Sequence, residues 1–351
     1  MSESTEGAAA EVPYWRHGQA HGERRLVAIV RWGILSTARI SGRLVEGAAK
    51  TDAAEIVAVA SRDEATAQAF ADGHDIPRAH GSYGALLADP DIDAVYIPLP
   101  NSMHVDWTIK ALQAGKHVLC EKPMDRRPEQ VARAFDVAEE HGLVLTEAFM
   151  WRHNPQALRL RELLDEGAIG AVRLVRACFS FVLAGGSDVR LDPALDGGGL
   201  MDVGCYCVSA TRLVAGGEPV SVSAQVVNGP TGVDLRLSGL LRFTDDVLGA
   251  IDCGLDDYSR GELEVVGSEG RLVLPDPWHA IDPKIVVERG FRREIVTVQP
   301  ADSYARELED MAAAIGGVRP PLLGRGDALG QARTIEALYR SAEEGRAVAL
   351  S

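Results

Sequence analysis

The chain has 351 residues, 46% hydrophobic and 25% charged, the balance of a soluble globular protein long enough for two domains. Its formal net charge of −15 opposes binding to nucleic acid or to an anionic membrane surface, both of which need a basic face, and a small polar or neutral ligand fits better. No apolar run approaches the roughly 20 residues needed to span a bilayer, residues 1–24 read as a disordered extension, and five cysteines in apolar contexts without zinc-type spacing point to a cytoplasmic protein with reduced thiols and no metal.

In chain order, Leu26 to Leu35 is mostly apolar, and Ser36-Thr37-Ala38-Arg39 opens a helix reaching about Ala49. A strand over Glu55–Ala60 precedes a helix over Glu64–Asp72. A strand over Ala94–Pro98 precedes a helix with Val105, Ile109 and Leu112 on one face, ended by Gly115. The strand His117–Cys120 runs into Glu121-Lys122-Pro123, Pro128 starts a helix closed by Gly142, and Leu143 to Thr146 is the last strand of the series. Alternation on this scale implies a parallel sheet covered on both faces.

Such a fold cradles a dinucleotide where the first strand turns into its helix. The glycine fingerprint expected there is degenerate, with Ser36, Ala38 and Ser41 at its three positions, but small side chains leave room and the Ser36 or Thr37 hydroxyl can donate to a phosphate. At the end of the second strand, Ser61-Arg62 stands where NAD-binding chains place an acid, which favours the 2′-phosphate of NADP, with NAD as the alternative because Asp63 is adjacent. Asn101 and His104 follow a strand carboxyl end, where open α/β sheets bind ligands.

Only five of the 36 basic residues are lysines, so a lysine at 122 is consistent with a need for an ammonium that exchanges a proton. Farther on, Asp196-Gly197-Gly198-Gly199 reads as a flexible entrance to a helix over Leu200–Val214, with Asp202 and Tyr206 four residues apart on one face. Asp202 needs a partner in that apolar setting, and Lys122 is the obvious one. The competing structural reading makes Asp202 a cap and Tyr206 a core residue. Strands are expected at Val220–Val227, Asp234–Phe243, Val247–Leu255, Glu262–Val266 and Arg271–Leu274, and helices at Tyr304–Ile315 and Ala328–Glu344 close the domain. The sheet shows no helical layer for its second face, as in sheets that pair with another subunit.

Several segments together resemble the glucose-fructose oxidoreductase, inositol dehydrogenase and rhizopine-catabolism family over roughly residues 25–350. They are Trp32-Gly33-Ile34-Leu35-Ser36-Thr37-Ala38, Tyr96-Ile97-Pro98-Leu99-Pro100-Asn101 with His104, Glu121-Lys122-Pro123, and Asp202-Val203-Gly204-Cys205-Tyr206. The nearest likeness is to the dihydrodiol and NADP-dependent xylose dehydrogenase subgroup. Tyr206 stands where inositol dehydrogenases usually carry histidine.

The resemblance implies an α/β Rossmann domain over residues 25–147 and an α+β substrate-binding and dimerisation domain over 148–351, built on an open, mostly antiparallel sheet. A nicotinamide cofactor lies across the cleft, and the protein forms homodimers or dimers of dimers. The implied cofactor-binding residues are Ser36, Thr37, Ala38, Arg39, Ile40, Ser61, Arg62, Pro98, Leu99, Asn101, His104, Glu121, Lys122, Trp151 and Arg152. Lys122, His153, Asp202 and Tyr206 hold the substrate.

Catalysis falls to Lys122, Tyr206 and Asp202. In one assignment Tyr206 moves the alcohol proton while Lys122 lowers its proton affinity; in the other Lys122 is the base. The expected activity is hydride transfer between NADP and a sugar hydroxyl or ketone. A nucleotide-sugar ketoreductase, drawing on the arginines of 158–161 and 173–176, and a non-catalytic NADP(H) sensor are the alternatives.

Overall fold

The computed structural model describes residues 28–184 and 188–350, so the extension expected over residues 1–24 lies outside the described residues. Strand β1 (Val30–Leu35) leads into α1 (Arg39–Ala48), β2 (Ala54–Ala60), α2 (Glu64–Gly73), β3 (Arg78–His80), α3 (Tyr83–Leu87) and β4 (Ala94–Ile97). Then come α4 (His104–Gln113), β5 (His117–Glu121), α5 (Pro128–His141) and β6 (Leu145–Ala148). The six strands are parallel in the order β3-β2-β1-β4-β5-β6. Every residue of β4 and β6 is buried, as parallel strands with helices on both faces require. The sequence reading missed β3 and α3, which are too short to express a period.

The second half contains α6 (Pro155–Asp165), β7 (Val172–Val182), α7 (Cys205–Ala215), β8 (Ser221–Asn228), β9 (Asp234–Arg242), β10 (Leu248–Gly254), β11 (Asp256–Gly267) and β12 (Arg271–Leu274). It continues with β13 (Lys284–Arg289), β14 (Arg292–Thr297), α8 (Ser303–Ile315), α9 (Arg325–Glu344) and β15 (Val348–Ala349). Nine strands form one sheet, β14-β13-β12-β11-β7-β10-β9-β8-β15, antiparallel throughout except where β10 pairs with β7. Helices α7 and α9 cover one face. The other presents Arg176, Glu264, Leu240 and Leu248.

Three expectations are corrected here. The final helices do not both close the second half: α8 packs on α1, and its Leu308, Met311 and Ala312 join the core of the parallel sheet. Gly47 permits that approach, because a Cβ there would lie 2.6 Å from the Tyr304 Cβ. The arginines of 173–176 belong to strand β7, whose Arg176 pairs with Glu264 at 3.2 Å on the uncovered face. The glycines of 197–199 are not a flexible entrance: a Cβ on Gly197 would strike the Arg190 carbonyl, and one on Gly198, at φ +127°, would strike Asp234.

Candidate active site

Lys122 follows the carboxyl end of β5 in the parallel sheet, and its side chain is 12% exposed. Its Nζ donates to the Asp202 carbonyl at 2.7 Å and lies 3.5 Å from Asp202 Oδ1. The helix expected over Leu200–Val214 begins instead as a wide π-type turn at Leu200–Gly204 and becomes regular only at Cys205. Asp202 therefore sits in the turn, one element before Tyr206, and widened turns of this type recur at functional sites. Burial is the largest influence on the ammonium and opposes its charge, but Cys205, Asp202 and Glu121 outweigh it, so the Lys122 pKa stands above its ordinary 10.5.

Tyr206 presents its ring to Lys122, with Nζ 5.0 Å from the centroid. Three aromatic rings box the phenol, each edge-on: Phe149 at 5.6 Å, Phe179 at 5.5 Å and Trp278 at 5.8 Å. Burial, and after it the charge of Glu121, holds the hydroxyl well above its ordinary 10. The lowering by Lys122 expected from the sequence is thus not what this arrangement produces. Glu121 is itself pushed up by burial and accepts the Tyr96 hydroxyl. Beneath Lys122, burial raises Glu147 to about 8, and its Oε1 accepts the Met124 N–H at 2.7 Å.

The other expected contact residues are placed as follows. His104 is 1% exposed with its ring nitrogens 2.9 and 2.7 Å from the Pro123 and Leu99 carbonyls, so it braces the two loops and has no ring nitrogen left for a cofactor. Trp151 is fully buried, edge-on to Trp278 at 5.5 Å, and offers no surface to a ligand. Arg152 is held by Asp327 at 3.3 Å and by Ser209 at 3.5 Å. His153, expected to touch substrate, is buried with Nε2 3.8 Å from Glu307 Oε1, and burial lowers its pKa to about 4. Asn101 turns to the Asp196 carbonyl at 2.8 Å.

The residues of the dinucleotide cradle fit the group. Helix α1 has Ala38 at its N-cap position, with no side-chain cap and no acid in its first turn. Ser41 donates to the Ser36 carbonyl and the Ser36 hydroxyl accepts the Ala38 N–H, both at 3.0 Å, so the turn is braced while the Arg39 and Ile40 N–H groups keep no partner among the described residues. Thr37 and Ile40 stand half-buried beside them, and Pro98 and Leu99 are buried at the end of β4. Asp63 is committed to capping α2 through the Thr66 N–H at 2.8 Å. Ser61 is half-buried, whereas Arg62 is exposed without a carboxylate partner among the described residues.

Residues that sequence reasoning missed include Arg190, whose Nε donates to Asp202 Oδ2 at 2.7 Å, and Tyr304, which packs against the cores of both halves. No pattern marked Arg190, Trp278 or Tyr304. Glu147 carried a signal, an acid in a run over 143–149 otherwise apolar but for Thr146.

A family model described as the oxidoreductase family with an NAD-binding Rossmann fold matches residues 30–149, and the GFO/IDH/MocA C-terminal domain matches residues 157–273. The chain is 42% identical over 324 residues to D-xylose 1-dehydrogenase (NADP(+)) 2 of Haloferax volcanii, covering 91% of this chain and 99% of that one. It is 34% identical over 268 residues to trans-1,2-dihydrobenzene-1,2-diol dehydrogenase of Xenopus tropicalis, covering 75% and 80%. Among solved structures it is similar to a 3-ketoreductase from Actinomadura kijaniata in complex with NADP and TDP-benzene, with a TM-score of 0.85, 31% identity and 90% and 98% coverage. With its parallel nucleotide-binding sheet, its open nine-stranded sheet and a lysine and tyrosine meeting between them, the chain belongs to the GFO/IDH/MocA family of oxidoreductases.

Proposed function

We propose that the protein interconverts a neutral sugar hydroxyl and its carbonyl with NADP, using Tyr206 as the proton-transfer group and Lys122 as the cation at the reacting oxygen. The observation that carries this reading is the meeting of Lys122 Nζ and the Tyr206 ring at 5.0 Å from opposite halves of the chain. When bound, the nicotinamide supplies or accepts the hydride. The protein handles the proton: in reduction the Tyr206 hydroxyl gives it to the substrate oxygen, and in oxidation the phenolate takes it back. A phenol held above its ordinary pKa rests in the protonated form, which suits the donor. Asp202 orients Lys122, and Lys122 polarises the oxygen.

Arg62 supports NADP over NAD, since a guanidinium without a carboxylate partner among the described residues is ready for a 2′-phosphate. An uncharged sugar is favoured over a nucleotide sugar because Arg159 and Arg176 already pair with Glu162, Glu166 and Glu264. The test is a screen of monosaccharides with NADP and with NAD, following absorbance of the reduced nicotinamide. Turnover of an aldose with NADP is expected, and no turnover of any sugar rejects the reading. In the same assay, Arg62→Ala weakens NADP at least about tenfold, the worth of one charge-assisted hydrogen bond, and leaves NAD unchanged. Equal effects on both cofactors reject the 2′-phosphate assignment.

We also infer a homodimer through the uncovered sheet face, where Leu240 is 61% and Leu248 51% exposed. Sedimentation at micromolar concentration is expected to give twice the chain mass, and Leu240→Arg to shift it toward the monomer; a wild-type monomer rejects this. Five free thiols suit the cytoplasm, which cell fractionation checks.

A further inference from the structure

The segment from Asp188 to Gly198 reaches both halves of the protein. Near its start, Arg190 places Nε 2.7 Å from Asp202 Oδ2, while its backbone N–H bonds Asp188 Oδ1 at 2.9 Å and Nη1 bonds Asp188 Oδ2 at 3.2 Å. Its guanidinium lies 6.0 Å from the Phe181 ring centroid, and its carbonyl accepts the Gly198 N–H at 2.8 Å. Near its end, Asp196 lies 3.2 Å from Arg126 and 3.8 Å from Arg127, and its carbonyl accepts from Asn101. Those three residues belong to the loops after β4 and β5, and the second of these loops begins at Lys122. The strap is thus tied to the loop that carries the lysine and, through Arg190, to the carboxylate that the lysine meets.

Asp202 serves two cations at once. One oxygen is bonded by Arg190, the other lies at 3.5 Å from Lys122, and Lys122 makes its short bond to the Asp202 carbonyl instead. A carboxylate has lone pairs enough for both partners, but a guanidinium with fixed geometry sets its orientation where a flexible ammonium does not. Resting on the function proposed above, we propose that Arg190 is a positioning residue for the reaction: by holding Asp202 it keeps Lys122 from collapsing onto that carboxylate and leaves the ammonium directed at Tyr206. Without Arg190 the carboxylate is free to close on Lys122 as a full ion pair, which draws the ammonium away from the substrate oxygen.

The sign of the accompanying charge effect follows from the neighbours of Lys122. Glu121 and Glu147 face it from the parallel sheet, His104 from α4, and Asp202, Cys205 and Tyr206 from the wide turn and α7, with Arg190 opposing them from the strap. Deleting the Arg190 cation raises the proton affinity of Lys122, so the pH profile of turnover moves upward.

The test compares Arg190→Ala, Arg190→Lys and Lys122→Ala in NADP-dependent sugar turnover across pH. For Arg190→Ala, kcat is expected to fall about tenfold or more, as misplacement of a catalytic group by a fraction of an ångström does, with NADP affinity by fluorescence titration held within about twofold. Its kcat profile is expected to move up by about one pH unit, the size of losing one nearby charge. Arg190→Lys restores most of the profile and part of kcat. An unmoved profile, or equal losses in Arg190→Lys and Arg190→Ala, overturns the proposal. Should Arg190→Ala fail to fold, Arg190→Gln, which removes the cation but keeps an N–H donor toward Asp202, shifts the profile in the same direction, and no shift overturns it. Full activity in Lys122→Ala marks the failure of the underlying function instead, and takes this proposal with it.

Discussion

Lys122→Ala and Tyr206→Phe are each expected to lower kcat at least about 10²-fold, the low end for removing a general acid-base group, while NADP still binds. The two losses have different origins. In Lys122→Ala the phenol keeps its box of Phe149, Phe179 and Trp278 but faces Glu121 without a compensating ammonium, so its proton affinity rises further above the ordinary value. In Tyr206→Phe the ring still fills the box, so stability changes little and the loss falls on chemistry. Lys122→Arg is not expected to rescue, because a planar fork cannot reproduce a single short bond to the Asp202 carbonyl at 2.7 Å with the charge at 5.0 Å from the Tyr206 ring. Turnover measured with cofactor titration in each variant checks this. Unchanged activity in both single variants rejects the site.

What the sequence disclosed and what it hid divide along physical lines. Strand and helix periods exposed β1, β2, β4, β5 and β9, because buried parallel strands read as apolar runs and half-buried antiparallel strands alternate. Glu121-Lys122-Pro123 was legible because it closes such a run, and Asp202 with Tyr206 because polar groups in an apolar helix demand partners. The eleven-residue β7 was hidden by its arginines, although Val175 and Ala177 alternate inward with Arg176 between them outward. The docking of α8 on α1 was hidden because an amphipathic helix announces that it has an apolar face, and not which sheet will receive it. His104 and His153 were misread for one reason: a histidine near a cleft looks alike whether its nitrogens meet a ligand, two carbonyls or a buried glutamate. The strap and the aromatic box are tertiary facts, made by residues that have no local pattern in common.

Trp278→Ala is expected to destabilise the protein by about 3 to 5 kcal/mol, the range for deleting a fully buried large aromatic side chain. Trp278 is 1% exposed and comes from the connection between β12 and β13, far along the chain from α7. It stacks on Phe179 with the planes 14° apart, meets Trp151 edge-on at 5.5 Å, and donates its indole N–H to the Cys178 carbonyl at 3.0 Å. Gly261 in β11 makes room for it, since a Cβ there would come within 2.9 Å of the indole. Because the same indole forms one wall of the Tyr206 box, the variant is expected to lose turnover beyond what its folded fraction explains, whereas Trp278→Phe, which keeps a ring against Phe179, loses less of both. Urea unfolding read alongside kcat per folded molecule separates the two effects. A Trp278→Ala protein with wild-type kcat per folded molecule and a midpoint unchanged would remove this wall from both the core and the site, and leave Phe149 and Phe179 to orient the phenol by themselves.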